Sequence, residues 1–134
     1  MARKEKVFTV EAKGRDEGKV FLIKEMSADK AEWWAIRAGM AMARNGIEVP
    51  DDFAQMGMVA LAQLGLSLVA KIPLDEAKPL LDELMACVSI IPDPGNPSVT
   101  RADINNDIEE FTTRLKLRAE VLKLHVDFIT AVAS

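Results

Sequence analysis

The feature that most constrains this chain is a run of residues without charge, FAQMGMVALAQLGLSLVA, which occupies positions 53–70. Its 18 residues fall just short of the roughly 20 that cross the hydrocarbon core of a bilayer. Three polar side chains, those of Gln55, Gln63 and Ser67, would also lie in lipid, and no aromatic belt marks the ends. We therefore expect a helix over about 52–71 that is buried by its neighbours in a soluble fold, with no membrane partner.

The N-terminal part of the chain has the pattern of a β-hairpin. Residues 7–12 and 19–24 are short β-prone runs, and Gly14 and Gly18 punctuate the segment between them. We predict a β-hairpin region over residues 1–26. Because an isolated hairpin is marginal in water, its apolar face must pack on the helices or on another strand.

A helical core is predicted over residues 27–90. Ser27 is a good N-cap for the first helix, because a serine oxygen can accept from the free N–H groups of the first turn. Asn45 followed by Gly46 is a typical C-terminal signal for the same helix. Pro79 fits the first turn of a later helix that continues to the end of this range.

The segment IPDPGNPSVT opens a proline-rich loop over residues 91–104, which is either a connector or a binding loop. Asp103 or Asn105 is expected to cap a long C-terminal helix over residues 105–131. A chain of 134 residues suits a single domain. The predicted fold class is mainly α: an N-terminal β-hairpin followed by about four helices in a compact bundle, with the proline-rich loop before the last helix.

Side chains suited to catalysis or metal binding are scarce. Cys87 is the only cysteine and His125 the only histidine, so one chain cannot assemble a His/Cys metal cluster or a disulfide. Cys87 has apolar neighbours, where a thiol stays protonated. Successive helical residues point about 100° apart, so adjacent carboxylates do not converge on one site. Their positions are explained by helix capping, because acids near a first turn complement the helix dipole. We expect no enzyme activity, no cofactor, and no catalytic or metal site.

The charge balance and the cysteine content bear on partners and location. The formal net charge is −4, whereas proteins that bind nucleic acid through its phosphates collect Lys and Arg. We therefore expect no nucleic-acid partner. The single cysteine and the lack of an apolar signal region after the N-terminus favour a reducing, cytoplasmic location.

The first predicted helix carries the strongest candidates for partner binding. Trp33 and Trp34 are adjacent and project in different directions, so one core contact can hardly bury both. A basic stripe spaced by seven residues follows the helix and consists of Lys30, Arg37 and Arg44. Either this is a core helix with a solvated stripe, or a tryptophan and an arginine anchor a partner, as they do at many interface hot spots.

Further candidate surfaces lie on two apolar helices. Gly57, Leu61 and Gly65 recur every four residues and would let another helix approach, either within the fold or from a second subunit. The last helix has two apolar stripes, more than one core contact needs. The stripe assigned to an oligomer interface consists of Leu117, Val121, Leu124 and Phe128. The polar partner-binding candidates on this helix are Arg114, Arg118, Lys123 and His125.

The sequence resembles the tail assembly chaperones of long-tailed bacteriophages. Three segments carry the resemblance: KPLLDEL (Lys78–Leu84), IPDP (Ile91–Pro94) and TRLKLRAEVLKLHVDF (Thr113–Phe128). It extends from about Lys19 to Phe128. The resemblance rests on the order of these segments and not on a catalytic signature.

This resemblance implies a small, largely helical protein that forms oligomers and acts in the host cytoplasm. Its partners would be the tape measure protein, which it keeps soluble, and the tail tube protein, which it recruits, and it would be absent from the finished virion. Two alternatives stay open. One is a permanent structural protein of the tail or head-tail connector, and the other is a helical regulator that binds nucleic acid through its basic stripes.

Overall fold

The computed structural model describes residues 3–46 and 71–133, with side chains as far as His125. Its elements in chain order are β1 (Glu5–Thr9), β2 (Val20–Lys24), α1 (Ala28–Arg44), α2 (Leu74–Met85), β3 (Val88–Ile91) and α3 (Phe111–Ala133). The strands form one antiparallel sheet in the order β1-β2-β3. None of the helices in these ranges has the length and apolar character to span a membrane.

The predicted N-terminal hairpin is confirmed. Glu5 pairs with Lys24 at one end of the β1–β2 ladder and Thr9 pairs with Val20 at the other. Gly18, just before β2, has a φ of 86°, a conformation that glycine adopts without steric cost. The longer loop between the strands is therefore set in part by its glycines.

The prediction of a mainly α bundle of about four helices is wrong. The described ranges hold three helices and a three-stranded sheet. The third strand is β3, which is formed by residues 88–90, predicted as the end of a helix, and by Ile91, predicted as the start of the loop. Ser89 of this strand pairs with Leu22 of β2. The run Val-Ser-Ile-Ile is rich in β-branched residues, and periodicity alone cannot assign so short an apolar run to helix or strand. The predicted helix over 52–71 lies outside the described residues.

Helix α1 has the ends that the sequence predicts. The Ser27 hydroxyl accepts from the Lys30 N–H at 3.3 Å, and Gly46 follows the C-cap with a φ of 69°. Helix α2 differs from the prediction, since it begins at Leu74 and Pro79 lies inside it. Its first turn therefore lies before Pro79, the residue that the sequence places in the first turn.

The main core lies between the sheet and α3. Phe21 and Ile23 of β2 and Val88 of β3 are at most 1% exposed, and they cluster with the equally buried Leu117 and Val121 of α3. Full burial of an aliphatic or aromatic side chain stabilises a fold by about 2 kcal/mol. This cluster therefore holds α3 on one face of the sheet.

A second, smaller core joins α1 to α2. It contains Ala38 and Ala41 of α1, Ala77 and Leu80 of α2, and Ile72, all at most 5% exposed. Three of these five residues are alanines, so the two helices can approach closely with little side chain between them. The contact buries only a narrow stripe of α1.

The last helix begins later than predicted, at Phe111 rather than near residue 105. Neither Asp103 nor Asn105 caps it, and the Asp103 carboxylate instead accepts locally from the Asn105 N–H at 3.5 Å. The capping carboxylate is Asp16, which comes from the hairpin loop. The sequence gives no local signal for this contact, because the partners are more than 90 residues apart.

Asp16 is buried, with 1% of its surface exposed, and both of its carboxylate oxygens are satisfied. Oδ1 accepts from the Glu109 N–H at 2.8 Å and from the Lys19 ammonium at 2.9 Å. Oδ2 accepts from the Glu110 N–H and the Thr113 hydroxyl, both at 2.8 Å. The carboxylate thus lies at the positive N-terminal end of α3, where an anion is favoured.

Two basic side chains close the same junction. Arg15 donates through Nε to Oε1 of Glu110 at 2.8 Å and through Nη2 to the Glu109 carbonyl at 2.9 Å. Lys19 donates to the Asp107 carbonyl as well as to Asp16. The hairpin loop is therefore fastened to the segment just before α3 on both sides of the capping carboxylate.

This environment changes the pKa of Asp16. Burial by itself raises the pKa, but hydrogen bonds from the Glu109 N–H, the Lys19 ammonium, the Thr113 hydroxyl and the Glu110 N–H outweigh it. The net effect is a pKa well below the usual range of an aspartate. The fold therefore stabilises the ionised form of the Asp16 carboxyl group.

Removal of the Asp16 carboxylate should destabilise the protein strongly. We expect Asp16→Ala to lower the free energy of unfolding by about 3 kcal/mol, because it leaves two backbone N–H groups and a hydroxyl without their acceptor. Urea unfolding followed by circular dichroism measures this. The neighbouring exposed Glu17 is the matched control, and Glu17→Ala should change stability by less than about 0.5 kcal/mol. Equal effects of the two substitutions would contradict the capping role.

The depressed pKa also predicts a pH dependence. The stabilisation by Asp16 is complete above the pKa of an unfolded aspartate, about 4, and is lost as the pH falls from there toward the lower folded pKa. Asp16→Asn should remove this part of the pH dependence, since the amide does not titrate. Unfolding free energies at about pH 6 and about pH 3 would show it as a smaller decrease in the variant. If the free energy of unfolding decreases as much in Asp16→Asn as in the parent, other carboxylates are the cause of the acid lability.

Candidate functional site: the outer face of the first helix

Most of α1 is not covered by the described part of the chain. Its contact with α2 runs through Ala38 and Ala41, while three large apolar side chains stay accessible: Trp33 is 54% exposed, Ile36 40% and Met40 55%. Spacings of three and four residues place these three on one side of the helix. We call Trp33, Ile36 and Met40 the α1 outer face.

The two adjacent tryptophans are placed in different environments, as expected from their spacing. Trp34 packs against both core clusters, and its indole N–H donates to the Leu80 carbonyl at 3.0 Å. The Trp33 indole forms no hydrogen bond with a described residue, and more than half of this side chain is exposed. Of the two candidates, Trp33 is the one that a partner could reach.

The predicted basic stripe on α1 is largely neutralised within the chain. The Arg37 guanidinium binds the Glu83 carboxylate through both terminal nitrogens, with 2.6 Å between Nη1 and Oε2. This hydrogen bond to Glu83, together with its charge, raises the pKa of Arg37. Arg44 binds Glu76 at 2.9 Å. The glutamates come from α2, so the sequence of α1 alone does not predict these ion pairs.

Glu76 is also held by a neutral side chain. The Asn45 amide donates to its Oε2 at 3.0 Å, and the hydrogen bonds from Asn45 and Arg44 lower the pKa of Glu76. Lys30, the third member of the predicted stripe, is exposed and forms no ion pair with a described residue. The α1 outer face is thus bordered by two intramolecular ion pairs rather than by an open row of cations.

The basic candidates on α3 are mostly engaged. Arg118 donates to the Leu81 carbonyl at 3.5 Å, and burial followed by the charge of Arg114 lowers its pKa. Arg114 donates to Oδ1 of Asn105 at 3.3 Å. Lys123 is half-buried. Arg118 thus joins α3 to α2, and Arg114 joins it to the segment before α3. The three side chains do not form one accessible stripe.

His125 connects α3 to the segment between β2 and α1. Its Nε2 accepts from the Met26 N–H at 2.9 Å, and its Nδ1 lies 2.8 Å from the Val121 carbonyl. Because Nε2 is the acceptor, the proton belongs on Nδ1, where it is donated to Val121. Both ring nitrogens are therefore used inside the fold.

The predicted oligomer-interface residues fall into two groups: some lie in the main core, and the others lie outside the described residues. Leu117, Val121 and Leu124 are at most 7% exposed and belong to the main core, so they face the chain's own sheet. Gly57, Leu61, Gly65 and the side chain of Phe128 lie outside the described residues. On α3 the accessible apolar side chains are instead Phe111, 74% exposed, and Leu115, 47% exposed.

Cys87 has the environment expected of an unreactive thiol. Burial raises its pKa to about 11, and a small opposing effect comes from the charge of Lys30. The thiol donates to the Glu83 carbonyl at 3.6 Å. Within residues 3–46 and 71–133, no group of three or more His, Cys, Asp or Glu side chains is placed to hold a metal ion.

Comparisons with protein-family models, with curated protein sequences and with solved structures give no match for this chain.

Substitution of the two tryptophans should separate the accessible surface from the core. We expect Trp34→Ser to lower the free energy of unfolding by about 3 kcal/mol, because it opens a cavity between both core clusters. Trp34→Phe should cost about 1 kcal/mol through the lost hydrogen bond to Leu80. Trp33→Ser should stay within about 0.5 kcal/mol of the parent. Urea unfolding measures all three, and a large loss with Trp33→Ser would show that this side chain is part of the fold.

Proposed function

We propose that this protein is a phage tail assembly chaperone without catalytic activity, and that the α1 outer face binds apolar sides of amphipathic helices in a tape measure protein. The proposal joins two supports: the resemblance of Lys78–Leu84, Ile91–Pro94 and Thr113–Phe128 to such chaperones, and an accessible apolar face on a helix. The mechanism is sequestration. Segments that would aggregate when exposed to water are covered until tube subunits polymerise around them.

The single observation that carries this proposal is the row of Trp33, Ile36 and Met40. Three large apolar side chains in succession on one helix are unusual on a surface that only meets water. An amphipathic partner helix presents complementary anchors at spacings of three, four and seven residues. Tryptophan supplies a large contact area, and methionine adapts its shape to different partners.

The ion pairs beside this face favour protein contact over nucleic-acid contact. Arg37 and Arg44 already bind Glu83 and Glu76, so phosphate binding would have to break these pairs. An apolar helix would leave them intact at the rim of the interface, where ion pairs tend to lie. The nucleic-acid alternative is therefore the weaker one.

Co-expression with the tape measure protein from the same genome tests the proposal. We expect the tape measure protein to become soluble and to elute in a complex with this chain. The double variant Trp33→Ser with Met40→Ser should bind about thirtyfold more weakly, because it removes two central anchors. The control Val99→Ser removes an exposed apolar side chain from the proline-rich loop and should bind as the parent does.

Two results would contradict the proposal. One is a tape measure protein that stays insoluble and forms no complex with the parent chain. The other is recovery of this chain from purified virions in amounts comparable to tail subunits, which would favour a permanent structural protein. Equal binding by the parent and the double variant would move the binding site away from α1 while leaving the chaperone function in place.

A further inference from the structure

The two edge strands of the sheet differ in whether their outward backbone groups are hydrogen-bonded. At the β3 edge, the Ile90 N–H donates to the Arg101 carbonyl at 2.9 Å and the Arg101 N–H donates back to Ile90 at 3.0 Å. The C-terminal part of the proline-rich loop therefore covers that edge. Strand β1 forms the other edge.

The hydrogen bonds at the two ends of β1 show which of its backbone groups face β2. The Val10 N–H donates to the Lys19 carbonyl at 2.9 Å, and the Glu25 N–H donates to the Lys4 carbonyl at 3.0 Å. In an antiparallel pair, hydrogen-bonded and non-hydrogen-bonded positions alternate. The even-numbered residues of β1 therefore bond to β2.

The odd-numbered residues Glu5, Val7 and Thr9 direct their N–H and C=O groups away from β2. No described residue forms a hydrogen bond with these six groups. The side chain of Val7, at the centre of the strand, is 57% exposed. Such an edge is a template for one more strand, and the complement of its alternating donors and acceptors is an extended peptide backbone.

An apolar notch lies beside this edge, between the hairpin and the first turns of α3. It has a volume of about 150 Å³ and is lined by Phe8, Val10, Ala12, Thr112, Thr113 and Lys116. Side chains alternate between the two faces of a strand. A strand added at β1 would therefore direct every second side chain to the face that carries Phe8 and Val10, where the notch has room for an aliphatic group.

One cation marks the rim of the notch. Lys116 is exposed and forms no ion pair with any residue in the described ranges. Lys6, which is on the same face of β1 as Phe8, is already bound to Glu120. An unpaired ammonium beside an apolar notch favours a ligand that combines aliphatic side chains with a carboxylate.

A second copy of this chain is a poorer complement. Antiparallel pairing of β1 with itself about Val7 would place Lys6 of one copy beside Phe8 of the other. The notch would then receive a charged side chain that must also leave Glu120. The charge pattern thus favours a different segment as the occupant.

We infer that the β1 edge and its notch bind an extended peptide segment with an aliphatic side chain at every second position and a carboxylate that reaches Lys116. This site shares no residue with the α1 outer face, and it does not rest on the chaperone function. A chain with both surfaces could hold a helical segment and an extended segment at once.

A titration of the full chain with a defined peptide tests this inference. The probe is acetyl-Thr-Val-Thr-Val-Thr-Val-Asp with a free C-terminus, followed through the backbone amide signals in NMR spectra. We expect saturable shifts at Glu5, Val7 and Thr9. Val7→Pro should raise the Kd at least about tenfold, because it removes the outward N–H and places a ring at the edge. The matched control Val7→Thr keeps the N–H and should change the Kd less than about threefold.

A separate comparison tests the contact between the peptide carboxylate and Lys116. Lys116→Glu should weaken the acidic peptide about fivefold and leave an amidated peptide ending in Asn unaffected. This comparison and the titration of the parent chain test peptide binding at the β1 edge even if Val7→Pro fails to fold.

Several outcomes would overturn the inference. One is the absence of saturable shifts at roughly millimolar peptide. A second is a concentration-dependent dimer of the free chain that Val7→Pro abolishes, which would assign the edge to a second copy. A third is slow hydrogen exchange at Val7 and Thr9 in the free chain, which would show an edge already paired within the chain.

Discussion

The buried carboxylate of Asp16 is the interaction on which the rest of the structure depends. It joins the hairpin loop to the start of α3, more than 90 residues later. Burial of a carboxylate costs several kcal/mol, and four hydrogen bonds and the positive end of a helix offset that cost. With the start of α3 fixed on the hairpin, Leu117 and Val121 come to lie on Phe21 and Ile23 of the sheet. An otherwise marginal hairpin thereby becomes one side of the main core.

Helix α1 is attached by a different principle. Its alanines at 38 and 41 meet Ala77 and Leu80 of α2, and ion pairs from Arg37 and Arg44 brace the contact. Small residues make the buried stripe narrow, because little side chain separates the two backbones. The large side chains Trp33 and Met40 are then left outside both cores that the described residues form. The same packing that anchors α1 therefore leaves exposed the apolar face that we propose as the partner-binding surface.

The elements that the sequence predicted well depend on local interactions. The ends of α1 follow from Ser27 and from Asn45-Gly46, whose hydrogen bonds reach only three or four residues along the chain. The hairpin follows from two β-prone runs around glycines. Strand β3 was missed because its apolar run fits either a helix or a strand, and only pairing with β2 decides between them. The start of α3 was misplaced because its capping carboxylate comes from the hairpin loop.

The candidate site shows the same division. The sequence by itself determined that Trp33 and Trp34 point in different directions, that α1 carries three basic residues, and that the chain holds one thiol and one imidazole. Only the tertiary structure decided which tryptophan is accessible, because Trp34 is partly buried against both cores and donates to Leu80 of α2. It alone paired Arg37 with Glu83 and placed Leu117 in the core. Helical spacing fixes the direction of a side chain relative to its own helix, but its neighbours are set by the packing of distant segments.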